Sequence, residues 1–279
     1  MRLSLILSLL LLTGCFEAEK PPEAPKKHPA YRHVPARQLA NSALIKIAVI
    51  DTGFGFGNIG HSVHLCKYGH KDFTTTQRLI TGYDTKDPVP LDEHGHGTNI
   101  AGIIDQYAGD QNFCLVILKY FTEKNSGPEN LRSSNEAIKY AKQIGVDVIN
   151  YSGGGVVRSV EEELLIKGFL DGGGTFVAAA GNEGINSDFF HFYPADYDDR
   201  IVSVGALKVD IEKVPVKERD ENMRDYRTKV SNYGKSVKRW ELGKNVVFEN
   251  YAMTGTSQAT AIATGKIVNK MTTKHDKSK

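Results

Sequence analysis

Three residues with the chemistry of acyl transfer stand far apart in this chain. Asp51 closes the apolar run IKIAVI, His96 sits between glycines in DEHGHGTNIAGI, and Ser257 precedes a run of small residues in YAMTGTSQATAIATG. A serine that takes an acyl group needs a base for its proton, an acid to set the base's tautomer, and donors for the oxyanion. The run 259–265 is compatible with a tightly packed helix. Ser257 would then lie at a helix N-terminus, where free N–H groups and the helix dipole favour negative charge. Gly95 and Gly97 imply close backbone approach around His96. Asp51, delivered by an apolar strand, is placed to hold an imidazole in one tautomer. Each residue alone has a plainer reading: an N-cap serine, a structural histidine and a turn-forming aspartate in D-T-G.

For these residues to meet, the elements that carry them must share one rim. Short apolar runs at 45–50, 114–120, 146–150, 175–180 and 201–206 read as buried parallel strands. Helix-patterned stretches at 99–107, 131–144 and 160–170 alternate with them. The expected fold class is therefore α/β, a three-layer sandwich with a mainly parallel central sheet. Such sheets gather chemistry beyond the carboxyl ends of their strands. The residues found there are D-T-G at 51–53, N-Y-S-G-G at 150–154 and G-N-E-G at 181–184.

The 279 residues are 40% hydrophobic and 24% charged, enough to bury one sizeable core. The formal net charge is only +2, and the basic residues are dispersed apart from Lys26, Lys27 and the terminal KHDKSK, so no nucleic-acid partner is expected. Residues 1–14 join Arg2 to an apolar run too short to cross a bilayer and read as an export signal. The ending L-T-G-C resembles the bacterial lipobox, which implies cleavage before Cys15 and lipid attachment to its thiol. The expected location is the cell envelope, the outer membrane or periplasmic face in a Gram-negative cell, with membrane lipid as a partner. Residues 15–43, rich in Pro and Lys, read as a tether, and 271–279 as a basic tail. Cys66 and Cys114 remain as a pair, bonded or as two free thiols, in a compartment where disulfides persist.

Other readings stand beside acyl transfer. D-T-G also marks aspartic proteases, but no second D-[TS]-G is present, so only a homodimer supplies the paired carboxylates. A monomer is the expectation. His61, His64, Cys66, His70 and, further on, His94 have gaps that suit zinc, against the reading of a solvated loop carrying half of a disulfide; no metal is expected. A lipid-anchored binding protein without catalysis is the remaining alternative.

VIDTG at 49–53, HGHGT at 94–98 and TGTSQAT at 254–260, with VINYSGG at 148–154, AAAGNEG at 178–184, SNYG at 231–234 and WELG at 240–243, resemble the subtilisin-like serine proteases over 44–270. The resemblance implies a subtilisin-like peptidase domain that hydrolyses peptide bonds through an acyl-enzyme. In it Ser257 is the nucleophile, His96 the general base and Asp51 the orienting partner. It further implies Asn182 as oxyanion donor. Ser152, Gly153 and Gly154 become strand partners for substrate, and Ala179, Ala180 and Gly181 the facing wall of the specificity pocket. A peptide or protein is the implied substrate. No cofactor is needed for the chemistry; structural calcium is left open, and no acidic cluster has calcium-loop spacing.

The chain departs from that family at Asn99, where a second histidine is usual, at Gln258, where a methionine is, and at Ala261-Ile262, where Pro-His is. None of these carries a proton in the implied mechanism. Phe192 lies near a place where the family often has a small residue, which implies a reduced pocket.

Overall fold

The computed structural model describes residues 44–55, 63–109, 112–249 and 251–277, with side chains to Met271. The export signal, Cys15, the tether and His61 lie outside the described residues. In chain order the elements are β1 (Ile45–Asp51), β2 (Lys71–Asp72), β3 (Leu79–Ile80), β4 (Val89–Pro90), α1 (His96–Ala108), β5 (Phe113–Lys119), α2 (Gly127–Gln143), β6 (Val148–Tyr151) and α3 (Val160–Asp171). They continue with β7 (Thr175–Ala179), β8 (Val202–Leu207), β9 (Arg239–Leu242), β10 (Val246–Phe248), β11 (Tyr251–Met253) and α4 (Thr256–Lys277).

Seven strands form one sheet in the order β2-β5-β1-β6-β7-β8-β9, every neighbouring pair parallel. β1 is flanked by β5 and β6, with Ile47 opposite Leu115 on one side and Val148 on the other. Alternate residues of β1 feed two cores. Ile47 and Val49 pack with Ile100 and Ile104 of α1 and Ile262 of α4; Ala48 and Ile50 pack with Ile138 of α2 and Ile166 of α3. Burial on both faces is why the strand is one unbroken apolar run rather than an alternating one. Each fully buried Ile contributes about 2 kcal/mol. The layers are thus α1 with α4, the sheet, and α2 with α3, the expected three-layer α/β arrangement.

Element ends follow local chemistry. α2 starts at Gly127, ahead of the expected 131, because Ser126 and Glu129 form a capping box and Pro128 suits the first turn. α3 is capped by Ser159, whose hydroxyl accepts from Glu162 N–H, and carries three glutamates in its first turn. α4 continues to Lys277, through the basic stretch that begins at 271. β9 and the β10–β11 hairpin have only short or mixed runs to announce them, and their burial is mixed. No helix among the described residues is long and apolar enough to cross a membrane.

Cys66 and Cys114 are bonded, their Cα atoms 4.8 Å apart. The zinc alternative therefore loses its thiolate, and two of its histidines, His64 and His70, have other work. His70 is buried; its Nδ1 accepts from Ile117 N–H at 3.0 Å and its Nε2 donates to the Cys66 carbonyl at 2.7 Å. Burial holds its pKa below the ordinary value, the neutral ring being the form that makes both bonds. His64 Nδ1 pairs with Asp105 at 2.8 Å. Among the described residues no three His, Cys, Asp or Glu side chains are grouped to hold a metal.

Candidate active site

β1 delivers Asp51, 3% exposed, to the carboxyl rim of the sheet. Its Oδ1 accepts from Thr52 N–H and from His96 Nδ1, each at 2.8 Å. His96 is the first residue of α1. The helix can begin so close to β1 because Gly95 takes a left-handed φ of 90° and Gly97 has no Cβ to strike the Gly53 carbonyl. Gly97 N–H then donates to Thr52 Oγ1 at 2.8 Å, tying the helix start to the D-T-G turn. With Nδ1–H donated to Asp51, Nε2 carries the lone pair of a base. Burial opposes charge on the ring, but the Asp51 carboxylate, by charge and hydrogen bond, and Asp92 by charge outweigh it. The His96 pKa is held above the ordinary 6.5.

Asp92 is the residue that sequence reasoning passed over. Its Oδ1 accepts from Thr52 Oγ1 and from the N–H groups of His94 and Gly95, and its Oδ2 from Thr98 N–H and Oγ1. Burial works against its charge, yet these bonds hold its pKa below the usual carboxylate range. Asp92 therefore binds the first turn of α1 to the turn after β1 and leaves a fixed negative charge near His96. The only signal in the sequence is an acid just ahead of a helix start, which is common wherever helices begin.

Ser257 is the second residue of α4, 5% exposed. Its Oγ donates to the Ser152 carbonyl at 2.9 Å, while Ser152 Oγ donates to the Ser257 carbonyl at 3.2 Å. The helix start is thus bonded to the segment that follows β6. Asn182, in the loop after β7, accepts through Oδ1 from Thr256 N–H at 2.9 Å and Thr256 Oγ1 at 3.1 Å. That fixes the amide oxygen on the α4 N-terminus beside Ser257. Gly153 lies against the Tyr120 hydroxyl, so no side chain fits there. The carbonyls of Ala180 and Gly181 are both taken by Asn232, from its Nδ2 at 2.9 Å and its N–H at 3.0 Å. Ala179 is buried at the end of β7.

Two departures from the family pattern explain each other. Gln258 Nε2 donates to Asn99 Oδ1 at 3.2 Å, so the first turn of α4 is bridged to the first turn of α1. Further along, Gly265 faces Ile104 and Tyr107 with no room for a Cβ, and Ala261 and Ile262 are buried in the same seam. The small residues after Ser257 therefore let two helices approach closely and open side by side, one with His96 and the other with Ser257.

The subtilase family profile matches residues 42–277. The chain belongs to the subtilase family. This subtilase is 31% identical over 243 residues to halolysin of Haloferax mediterranei, which covers 80% of this chain and 41% of halolysin. It is 32% identical over 173 residues to subtilisin DY of Bacillus licheniformis, 59% of this chain and 57% of that one. The chain thus spans about half the length of these relatives. In fold, the subtilase resembles the epidermin leader peptide processing serine protease of Staphylococcus aureus, with a TM-score of 0.62 at 19% identity over 84% of this chain and 66% of that structure.

Proposed function

We propose that this subtilase is a serine endopeptidase that hydrolyses peptide bonds through an acyl-enzyme. The observation that carries the reading is the 2.8 Å bond from His96 Nδ1 to Asp51, at the rim where Ser257 opens α4. In the first step Ser257 turns its proton from the Ser152 carbonyl to His96 Nε2, and Oγ bonds to the substrate carbonyl carbon. The displaced electron pair goes to the carbonyl oxygen, received by Asn182 Nδ2 and Ser257 N–H. His96 next passes its proton to the leaving amine as the C–N bond breaks. Water then repeats the sequence and frees Ser257. Losing the Asn182 donor removes about 3 kcal/mol of transition-state stabilisation. Ser152, Gly153 and Gly154 pair with the substrate backbone, and Ala179, Ala180 and Gly181 form the facing wall.

Fluorophosphonate labelling of the full chain tests the chemistry. Wild type takes the label on Ser257, Ser257→Ala takes none, and His96→Ala reacts at least about 10⁴-fold more slowly. A folded wild type that takes no label overturns the reading. The protein works as a monomer held at the envelope through acylated Cys15, supported by the L-T-G-C sequence. Cys15→Ala should then abolish incorporation of a palmitate analogue and move the protein from the membrane to the soluble fraction.

A further inference from the structure

The space beside the proposed nucleophile is already occupied by a residue of the protein itself. β6 and β7 are neighbouring parallel strands whose pairing ends with Tyr151 opposite Ala178. One continuation carries Ser152, whose carbonyl receives Ser257 Oγ; the other carries Asn182, fixed on the α4 start. An acyl group attacked by Ser257 and polarised by Asn182 must place its own side chain in the gap between them. Phe192 stands in that gap, 6% exposed. A Cβ on Gly154 would lie 2.5 Å from Phe192 Cε1, and a Cβ on Gly181 would lie 2.8 Å from Phe192 Cδ2. Those two atoms are opposite corners of the ring, so the ring spans the gap from one glycine to the other.

The backbone that carries the ring is held on both sides. Phe192 N–H donates to Asp196 Oδ2 at 2.8 Å, and its carbonyl accepts from Asp196 N–H at 3.1 Å. Tyr193 exchanges both backbone bonds with Gly155, at 2.7 and 2.8 Å, and its ring stacks on Tyr197 at 4.6 Å. The opposite wall is held too, since Asn232 bonds both the Ala180 and Gly181 carbonyls. We infer that Phe192 is the specificity-determining residue of this site, closing it to all but the smallest side chains, so that the substrates are polypeptides cleaved after Gly, Ala or Ser. The inference rests on the proposed role of Ser257.

The test uses the full chain and a panel of peptide amides that differ only in the residue before the scissile bond: Gly, Ala, Ser, Leu or Phe. Wild type should hydrolyse the small-residue amides with kcat/KM at least 30-fold above the Leu and Phe amides, since excluded methylenes cost about tenfold or more each. Phe192→Ala should raise kcat/KM for the Leu and Phe amides at least tenfold relative to the Ala amide. Phe192→Leu, which keeps the site filled with an apolar side chain, covers the case in which the alanine variant does not fold, and should raise the Leu amide alone. Preferential cleavage after Leu or Phe by wild type overturns the inference. So does an unchanged profile in folded variants, or a wild type that labels on Ser257 yet turns over none of the small-residue amides. A wild type that neither labels nor hydrolyses overturns the proposed function, and this inference falls with it.

Discussion

Two carboxylates act on His96 by different routes, Asp51 through charge and a hydrogen bond to Nδ1 and Asp92 through charge alone. The base form of His96 is the reactive one, and its pKa lies above 6.5, so the acid limb of kcat/KM against pH should lie on the alkaline side of 6.5. Asp92→Asn removes the more distant charge, which lowers the His96 pKa and moves that limb to lower pH; an unmoved limb in a folded variant would leave Asp92 a purely structural part. The same variant loses an ionised acceptor with five donors, and urea unfolding should show a loss of about 2 kcal/mol. His96 and His70 have opposite linkage. The raised pKa of His96 contributes stability that is full below 6.5 and lost as pH rises through the folded value. The lowered pKa of His70 contributes stability present above 6.5 and lost as pH falls through its folded value.

At the scale of elements, α1 and α4 act as a pair because small residues line their seam. Gly265→Ala would set a methyl 2.6 Å from Tyr107 Cβ and 2.8 Å from the Ile104 carbonyl. Thermal and urea unfolding should show a loss of about 1–3 kcal/mol, with a fall in kcat as the α4 start shifts relative to α1. α3 carries a different liability. Glu162 is buried, accepts from Tyr197 Oη at 2.9 Å, and has its pKa pushed by burial up to about 7. Its folded value lies above the ordinary 4.5, so the folded state holds a proton the unfolded state has lost, and stability declines as pH rises from about 4.5 to about 7. The decline is about 3 kcal/mol. Glu162→Gln should flatten it, so that the variant gains on wild type from pH 5 to pH 8 in urea midpoints.

Over the whole molecule, the disulfide links the segment before β2 to β5, the strand next to the β2 edge of the sheet, and closes a span of 48 residues. Cys66→Ala with Cys114→Ala should lower stability by about 4 kcal/mol through the freer unfolded chain. Reduction of wild type should give a similar loss, read as a drop in the urea midpoint. The fold itself concentrates function at one end: β1, β6 and β7 are adjacent and parallel, so Asp51, Ser152 and Asn182 emerge at the same rim. α1 and α4 then start at that rim with His96 and Ser257. A mainly antiparallel sheet would have scattered the same residues over both ends.

The sequence by itself determined what is local. Unbroken apolar runs mark strands buried on two faces, and alternation with helical patterns orders them in parallel. The glycines beside His96 and the small residues after Ser257 report close backbone approach without a partner being known. What only the tertiary structure decided involves partners distant in the chain. Asp92 meets Thr52 across 40 residues, Gln258 meets Asn99 across 159, and Cys66 joins Cys114 across 48. Phe192 stands between two glycines that belong to different strand ends. Each of these depends on which surfaces the packed sheet and helices bring together, and residue spacing along a chain carries no measure of that distance.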